Sequence, residues 1–198
     1  MANVNPKKLP GRWIDGYALD LHTVYSVPIG EDEYGHQRFD TPRTELGELL
    51  DRLKYSGDQT ALGELVETAA TFVGGWAEAR GIEMLVPVPP SKQRAVQPAL
   101  QVATALAAKL GIAYEPQAIT KLKETPELKN VSDYDERLRL LAGAHSVDAT
   151  RVAGKSILLF DDLYRSGATM NSIAALLLDT GKAAKVIALT LTRTRSKQ

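Results

Sequence analysis

The segment KSILLF (155–160) constrains the fold most. Its apolar residues run with little polar alternation, the pattern of a strand buried on both faces at the centre of a parallel sheet. An amphipathic stretch, ATMNSIAALLLDTG (168–181), follows as a helix, and KVIALTLT (185–192) closes the chain as another strand. The same strand, loop and helix rhythm runs upstream. MLVPVP (84–89) reads as a short buried strand, PSKQRAVQP (90–98) as a loop, and ALQVATALAAKLG (99–111) as a helix stopped by Gly111. AITKLK (118–123) reads as a strand, ETPELKNVSD (124–133) as a long polar loop, YDERLRLLAG (134–143) as a short helix and GAHSV (143–147) as a short strand. Alternation of this kind specifies an α/β domain, a parallel sheet flanked by helices.

The N-terminal third is different. Residues 1–15 are polar and proline-bearing and read as a loose arm. YALDLHTVYSVPI (17–29) is rich in β-branched and aromatic residues, and GEDEYGHQRF (30–39) supplies turn residues, which predicts a hairpin. Thr41 and Pro42 offer a helix start, with Leu46, Leu49, Leu50 and Leu53 at helical spacing behind them. A second helix is predicted over 59–80, with Leu62, Leu65, Val66, Ala69, Val73 and Trp76 on one face and Gly81 ending it. The expected organisation is a small hairpin and helical lobe over 1–58 and a larger core over 59–198.

Composition narrows the function classes. A chain of 198 residues is long enough for one domain with a real core. Its formal net charge is zero, which gives no global attraction to nucleic acid or an anionic membrane. It has no cysteine, which excludes disulfides, thiol chemistry and cysteine-bound zinc, and fits a reducing cytoplasm. No apolar run approaches the ~20 residues that span a bilayer, and the opening MANVNPKKLPGRW lacks the apolar core of a signal peptide. A cytoplasmic protein without membrane contact is expected.

The buried strand 155–160 ends in two adjacent carboxylates, Asp161 and Asp162. Ligands of open parallel sheets sit beyond the carboxyl ends of the strands. Paired carboxylates there accept charge-assisted hydrogen bonds from vicinal hydroxyls, such as the 2- and 3-hydroxyls of a ribose. The loop 164–169 follows. Gly167 lets backbone approach a ligand, Ser166 and Thr169 offer hydroxyls, and the helix it opens points its first N–H groups outward as a phosphate cradle. Diol acceptors beside a phosphate cradle describe a ribose 5-phosphate site. The plain alternative is an acidic loop with a hydroxyl helix cap. After the strand 84–89, Lys92 and Arg94, with backbone N–H groups from Ser91 onward, are placed to neutralise a pyrophosphate; the alternative is a solvated basic loop.

ILLFDDLYRSGAT (157–169) resembles the phosphoribosyl-pyrophosphate signature of the type I phosphoribosyltransferases, with Ser166 where threonine is frequent. The resemblance extends to ComF-type members through LKYSGD (53–58), LVPVPPSKQR (85–94) and residues 122–147, and spans 50–192. It implies a type I phosphoribosyltransferase-like fold. Asp161 and Asp162 would hold the ribose hydroxyls, and Tyr164, Arg165, Ser166, Gly167, Ala168 and Thr169 would wrap the 5-phosphate. Loop 122–130 would close over the substrate with Lys123, Thr125 or Lys129 near the leaving group. Mg²⁺ beside Asp161 and Asp162, phosphoribosyl pyrophosphate, a nitrogen acceptor and a homodimer are implied too, with a non-catalytic role in DNA uptake, beside a partner protein, as the alternative.

Three departures stand out. The zinc-binding cysteine pairs of many ComF-type proteins are absent. The arginine of their RGFNQ stretch is missing from AVQPAL (95–100). Arg165 stands where purine-salvage members carry a base-facing aspartate, which disfavours hypoxanthine or guanine as acceptor. Arg137 is expected to pair with Asp133 on the helix surface. His22, His36 and His145 are read as structural or surface residues, and Trp13 and Trp76 as core or interface.

Overall fold

The structure is a computed structural model that describes residues 1–90, 97–123, 131 and 133–195. Among these, six strands build the main sheet: β1 (Lys7–Lys8), β2 (Gly16–Leu21), β5 (Met84–Pro87), β6 (Ala113–Tyr114), β9 (Ser156–Tyr164) and β10 (Lys185–Arg193). Their order is β1-β2-β10-β9-β5-β6, and every neighbouring pair is parallel except β1 with β2. The unalternating segments occupy the centre, β10 and β9, as expected of strands covered on both faces.

Helices α1 (Glu45–Asp51), α2 (Gln59–Gly75) and α3 (Pro98–Leu110) cover one face. Their Leu46, Leu50, Leu65 and Leu106 pack with Leu158, Phe160, Ile187 and Leu189 of β9 and β10. Helices α4 (Tyr134–Leu141), α5 (Ala149–Val152) and α6 (Ala168–Ala175) belong to the second half of the chain, and Ile173 of α6 packs with Ile157, Leu159 and Val186 on the other face. Each fully buried leucine or isoleucine is worth about 1.5–3 kcal/mol of transfer free energy, so this two-sided core holds the central strands. A helix continuation, the π-helical turn Leu176–Thr180, carries α6 on to Gly181. No helix among the described residues is long and apolar enough to cross a membrane.

Two short strands, β7 (Ile119–Lys121) and β8 (His145–Val147), pair antiparallel and bracket the excursion between them. The exposed strands β3 (Val27–Glu31) and β4 (Gln37–Asp40) form a hairpin of their own.

The N-terminal third corrects several expectations. Residues 1–15 are not a loose arm: Leu9 is buried, β1 pairs with β2, and the Asp15 side chain is buried. Asp15 accepts hydrogen bonds from its neighbour Gly16 N (2.8 Å) and Trp76 Nε1 (3.1 Å), and pairs with Lys8 Nζ at 2.6 Å. The arm is therefore tied to α2's end. The hairpin expected from residue 17 begins only at Val27, because 16–21 instead joins the main sheet beside β10, with Ala18 opposite Thr190. The first helix starts at Thr44, not Thr41. Residues 42–43 are held extended by Val24 N to Pro42 O (2.8 Å) and a Thr23–Arg43 bridge, and Thr44 Oγ1 then caps Gly47 N. The second helix ends at Gly75 rather than residue 80. Gly74 and Gly75 weaken its last turn, Trp76 turns extended with its N–H on Val73 O, and a 3₁₀ turn Ala77–Ala79 follows. Asp133 caps Glu136 N, and Arg137 Nε donates to Val131 O at 2.6 Å, so the expected Arg137–Asp133 pair gives way to a cap and a backbone contact. Trp76 and His145 are buried, and His36 is exposed beside Asp32.

Asp15 yields a stability prediction. Burial pushes its carboxyl up, but hydrogen bonds from Lys8, Trp76 and Gly16 and the Lys8 charge outweigh this and hold it below the ordinary carboxylate range. Asp15→Ala strands the Trp76 indole N–H and is expected to cost about 1–2 kcal/mol in urea unfolding at neutral pH. A carboxyl with a lowered folded pKa stabilises above its unfolded value of about 3.9 and loses that contribution as pH falls through the folded value. The wild-type and Asp15→Ala stabilities should therefore converge in acid.

Candidate functional site

The site lies at the rim formed by the carboxyl ends of β2, β5, β9 and β10. β5 stops at Pro87, and Val88 N still donates to Phe160 O at 2.8 Å. β9 runs on to Tyr164 beside β10. Asp161 and Asp162 thus stand inside a paired strand, one step past the end of its neighbour, rather than in a loop beyond it. The side-chain alternation slips here. Ile157 and Leu159 face the α6 side and Leu158 and Phe160 the other, yet Tyr164, even-numbered like Phe160, packs with the odd-numbered pair. Residues 161–163 are all half-buried across this slip.

The two carboxyls are unlike. Asp161 Oδ1 accepts the Asp162 backbone N–H at 2.8 Å. Burial, and then the adjacent charge of Asp162, push the Asp161 carboxyl well above the usual carboxylate range. Asp162 Oδ2 pairs with Lys54 Nζ at 2.5 Å, with side-chain exposures of 16% and 19% that mark both groups as largely shielded from water. Thr192 Oγ1 approaches the Asp162 carbonyl at 3.4 Å and His22 Nδ1 at 3.2 Å. Burial, with Lys54 and Arg43 nearby, holds the half-buried His22 below the ordinary imidazole range, so the ring is neutral at neutral pH.

The residues expected to form a phosphate cradle follow directly. Gly167 takes φ 77° at the N-cap of α6. The first backbone bond into the helix runs from Asn171 N to Gly167 O (2.8 Å), and Ala168 N reaches Ser166 Oγ only at 3.5 Å. The N–H groups of Thr169 and Met170 ahead of that bond point out of the helix mouth. Thr169 and Ser166 are half-buried, Arg165 is exposed and Ala168 is buried. Tyr164 is buried; its hydroxyl donates to Pro10 O at 3.1 Å, and its ring lies against Gly167.

Lys123 Nζ donates to Ala142 O at 2.7 Å, which ties the start of the long connection to the end of α4. Ser91, Lys92 and Arg94, and Thr125 and Lys129, lie outside the described residues. The structure thus brings Asp161, Asp162, Ser166, Gly167 and Thr169 to one rim through consecutive elements. Sequence reasoning missed Lys54, His22 and Thr192 there. Lys54 lies in LKYSGD, which carried a resemblance without a role; nothing local marked His22 or Thr192.

Chemically, the rim offers carboxylate acceptors, a fixed cation and outward N–H groups. This is a set for a polyhydroxylated ligand bearing phosphate.

Competence protein ComFC of Bacillus subtilis (strain 168) is 31% identical over 147 residues, which cover 74% of this chain and 59% of ComFC. The chain therefore spans about three fifths of the length of that relative. Among solved structures, adenine phosphoribosyltransferase from Trypanosoma brucei, in complex with AMP, pyrophosphate and ribose-5-phosphate, superposes with a TM-score of 0.51 at 11% identity. That match covers 95% of this chain and 74% of the other. The Leishmania tarentolae adenine phosphoribosyltransferase gives a TM-score of 0.50 at 8% identity, covering 96% and 94%. No protein-family model matches the chain.

Proposed function

From a ComFC-like chain with the type I phosphoribosyltransferase fold, we propose an enzyme that binds phosphoribosyl pyrophosphate and transfers its 5-phosphoribosyl group to a nitrogen nucleophile, releasing pyrophosphate. The observation that carries this reading is the succession of Asp161 and Asp162 at the rim, the Gly167 turn and the outward mouth of α6. The carboxylates accept the vicinal ribose hydroxyls, and the N–H groups of Thr169 and Met170, with the Ser166 and Thr169 hydroxyls, take the 5-phosphate. As the bond from C1 to the pyrophosphate oxygen breaks, positive charge grows on the ribose ring. A carboxylate fixed beneath it favours that charge, and preorganised electrostatics of this kind is commonly a leading catalytic effect. The electron pair of the broken bond leaves with pyrophosphate, the acceptor nitrogen supplies the new one, and its proton passes to solvent.

Asp161 and Asp162 are hard oxygen donors of the kind Mg²⁺ takes, and Mg²⁺ sites on phosphate substrates need only one or two carboxylates. The ion held there would neutralise the pyrophosphate oxygens. Lys92 and Arg94 are assigned to the same anion, and loop 122–130 to covering it. The exposed Arg165 favours an acceptor with a carboxylate or carbonyl over a purine base. A homodimer in the cytoplasm is the proposed working form.

A second reading has the ComFC similarity in its favour: a protein that keeps the ligand site and acts in DNA uptake, beside a partner protein, with little or no turnover. One assay separates the two. The protein is incubated with phosphoribosyl pyrophosphate, Mg²⁺ and a panel of bases and amines, and pyrophosphate release is followed. Acceptor-dependent release supports the enzyme; binding without release for every acceptor supports the second reading.

A further inference from the structure

We propose that the N-terminal loop 9–16 braces the 5-phosphate mouth of α6, acting through Asn171 and the Tyr164 hydroxyl as positioning groups that hold the Gly167 turn ready for ligand. The inference rests on the proposed binding of phosphoribosyl pyrophosphate and adds a segment from the other end of the chain. Backbone N–H donors bind an anion well only if they are ordered before it arrives, because ordering during binding subtracts from affinity. Other helices here carry a cap of their own. Thr44, Asp58, Asp133 and Asp148 each accept a backbone N–H of the helix they open, α1, α2, α4 and α5. By contrast, α6 opens on Gly167 with no side-chain cap. A cap there would occupy N–H groups that a phosphate needs, so the mouth has to be held from outside.

The arm supplies that hold at two points. Pro10 O accepts the Tyr164 hydroxyl at 3.1 Å, and the Tyr164 ring lies so close to Gly167 that a Cβ there would fall 2.5 Å from Cζ. Arg12 N donates to Asn171 Oδ1 at 2.8 Å, and the Asn171 backbone N–H closes the first turn of α6 on Gly167 O, also at 2.8 Å. The loop is closed on itself. Leu9 N donates to Gly16 O and Trp13 Nε1 to Leu9 O, both at 2.9 Å, and the Trp13 ring fills the space over Gly11 and Gly16. Leu9 is buried in the same apolar cluster as Tyr164, Met170 and Ile173. Ile14 N donates to Val186 O (2.9 Å) near the start of β10, which fixes the far end of the loop to the sheet. Arg193 adds a further contact: its guanidinium lies 5.8 Å from the Tyr164 ring centre, and its Nη1 approaches Lys8 O at 3.4 Å. Arg12 also pairs with Asp179 past the end of α6, but with side chains 56% and 57% exposed that pair contributes little.

The test pairs two measurements on wild type, Tyr164→Phe, Asn171→Ala and the combined variant. One is affinity for phosphoribosyl pyrophosphate with Mg²⁺, by titration calorimetry; the other is amide hydrogen exchange. Tyr164→Phe removes only the hydroxyl that Pro10 O accepts. Asn171→Ala removes the acceptor of Arg12 N, and with it a donor to the Tyr134 hydroxyl at 3.4 Å, while alanine is the better helix former. A neutral hydrogen bond is worth a factor of roughly two to ten, so the combined variant is expected to bind about tenfold more weakly. Its Asn171 amide should exchange faster, while the amides of the central strands β9 and β10 keep wild-type protection. Should the strands lose protection as well, Trp13→Leu, which opens the loop without touching the mouth, is read in place of the combined variant. Wild-type affinity in the variant overturns the brace and leaves the proposed function standing. So does weaker binding with the Asn171 amide exchanging as in wild type. Absence of binding by the wild type overturns both.

Discussion

Asp161→Asn combined with Asp162→Asn is expected to lower affinity for phosphoribosyl pyrophosphate by more than about a hundredfold. A hydrogen bond to a charged acceptor is worth about 1.5–3 kcal/mol, and two such bonds to a diol exceed the ~2.7 kcal/mol that a hundredfold change requires. Both replacements keep shape and put an amide that cannot ionise in place of a carboxyl that can. The single variants separate site from scaffold. Asp161 is held toward its protonated form by burial and by Asp162, and asparagine resembles a protonated carboxyl. Asp161→Asn should therefore unfold at no lower temperature than wild type while its affinity drops, as at sites where function is kept at the expense of stability. Asp162→Asn leaves the shielded Lys54 ammonium without its partner and should lose both affinity and stability. Calorimetric titration alongside thermal unfolding checks all three. A double variant with wild-type affinity would remove the aspartates from the site.

Gly167→Ala carries the second large effect. The backbone there has φ 77°, the left-handed region that glycine enters at little cost and other residues enter at about 1–2 kcal/mol. A Cβ built on Gly167 would lie 2.2 Å from the Tyr164 hydroxyl oxygen and 2.5 Å from its Cζ. Tyr164 has little freedom to retreat, because it is buried and bonded to Pro10 O. Strain and overpacking together, the latter about 1–3 kcal/mol, are expected to cost about 2–5 kcal/mol in urea unfolding. Tyr164→Leu, which shortens the obstructing side chain, should make the alanine less costly in a double-mutant cycle. Equal cost in both backgrounds would show that the ring is not the obstacle.

These two positions show how far the sequence was legible. The buried strand and its paired aspartates were readable because they depend on local pattern: unbroken apolar residues, then charge, then a glycine turn and a helix. The apolar spacing of Leu46, Leu49, Leu50 and Leu53, and of Leu65, Val66, Ala69, Val73 and Trp76, was readable for the same reason, and those residues are buried, while Leu62, read on the same face, is half-buried. What escaped depends on partners remote in sequence. β2 joins the sheet by pairing with β10, so that Ala18 meets Thr190, and no local period announces that. The arm is anchored by Asp15 on Trp76, 61 residues away. Gly167 was legible as a glycine-requiring turn, but its close neighbour is the Tyr164 ring of the same loop. Lys54 had a legible setting in LKYSGD, yet its reach to Asp162 follows from how the turn 52–56 packs above the rim.

Backbone amide shifts of the ¹⁵N-labelled protein, followed as phosphoribosyl pyrophosphate and Mg²⁺ are added, test the central claim most directly. Binding at the rim predicts saturable changes at Asp161, Asp162 and the amides of 165–170, with a weaker response at Lys54 and none at the opposite edge around Asp15. Saturable changes confined to other parts of the chain, or none at ligand concentrations well above the physiological range, would contradict it.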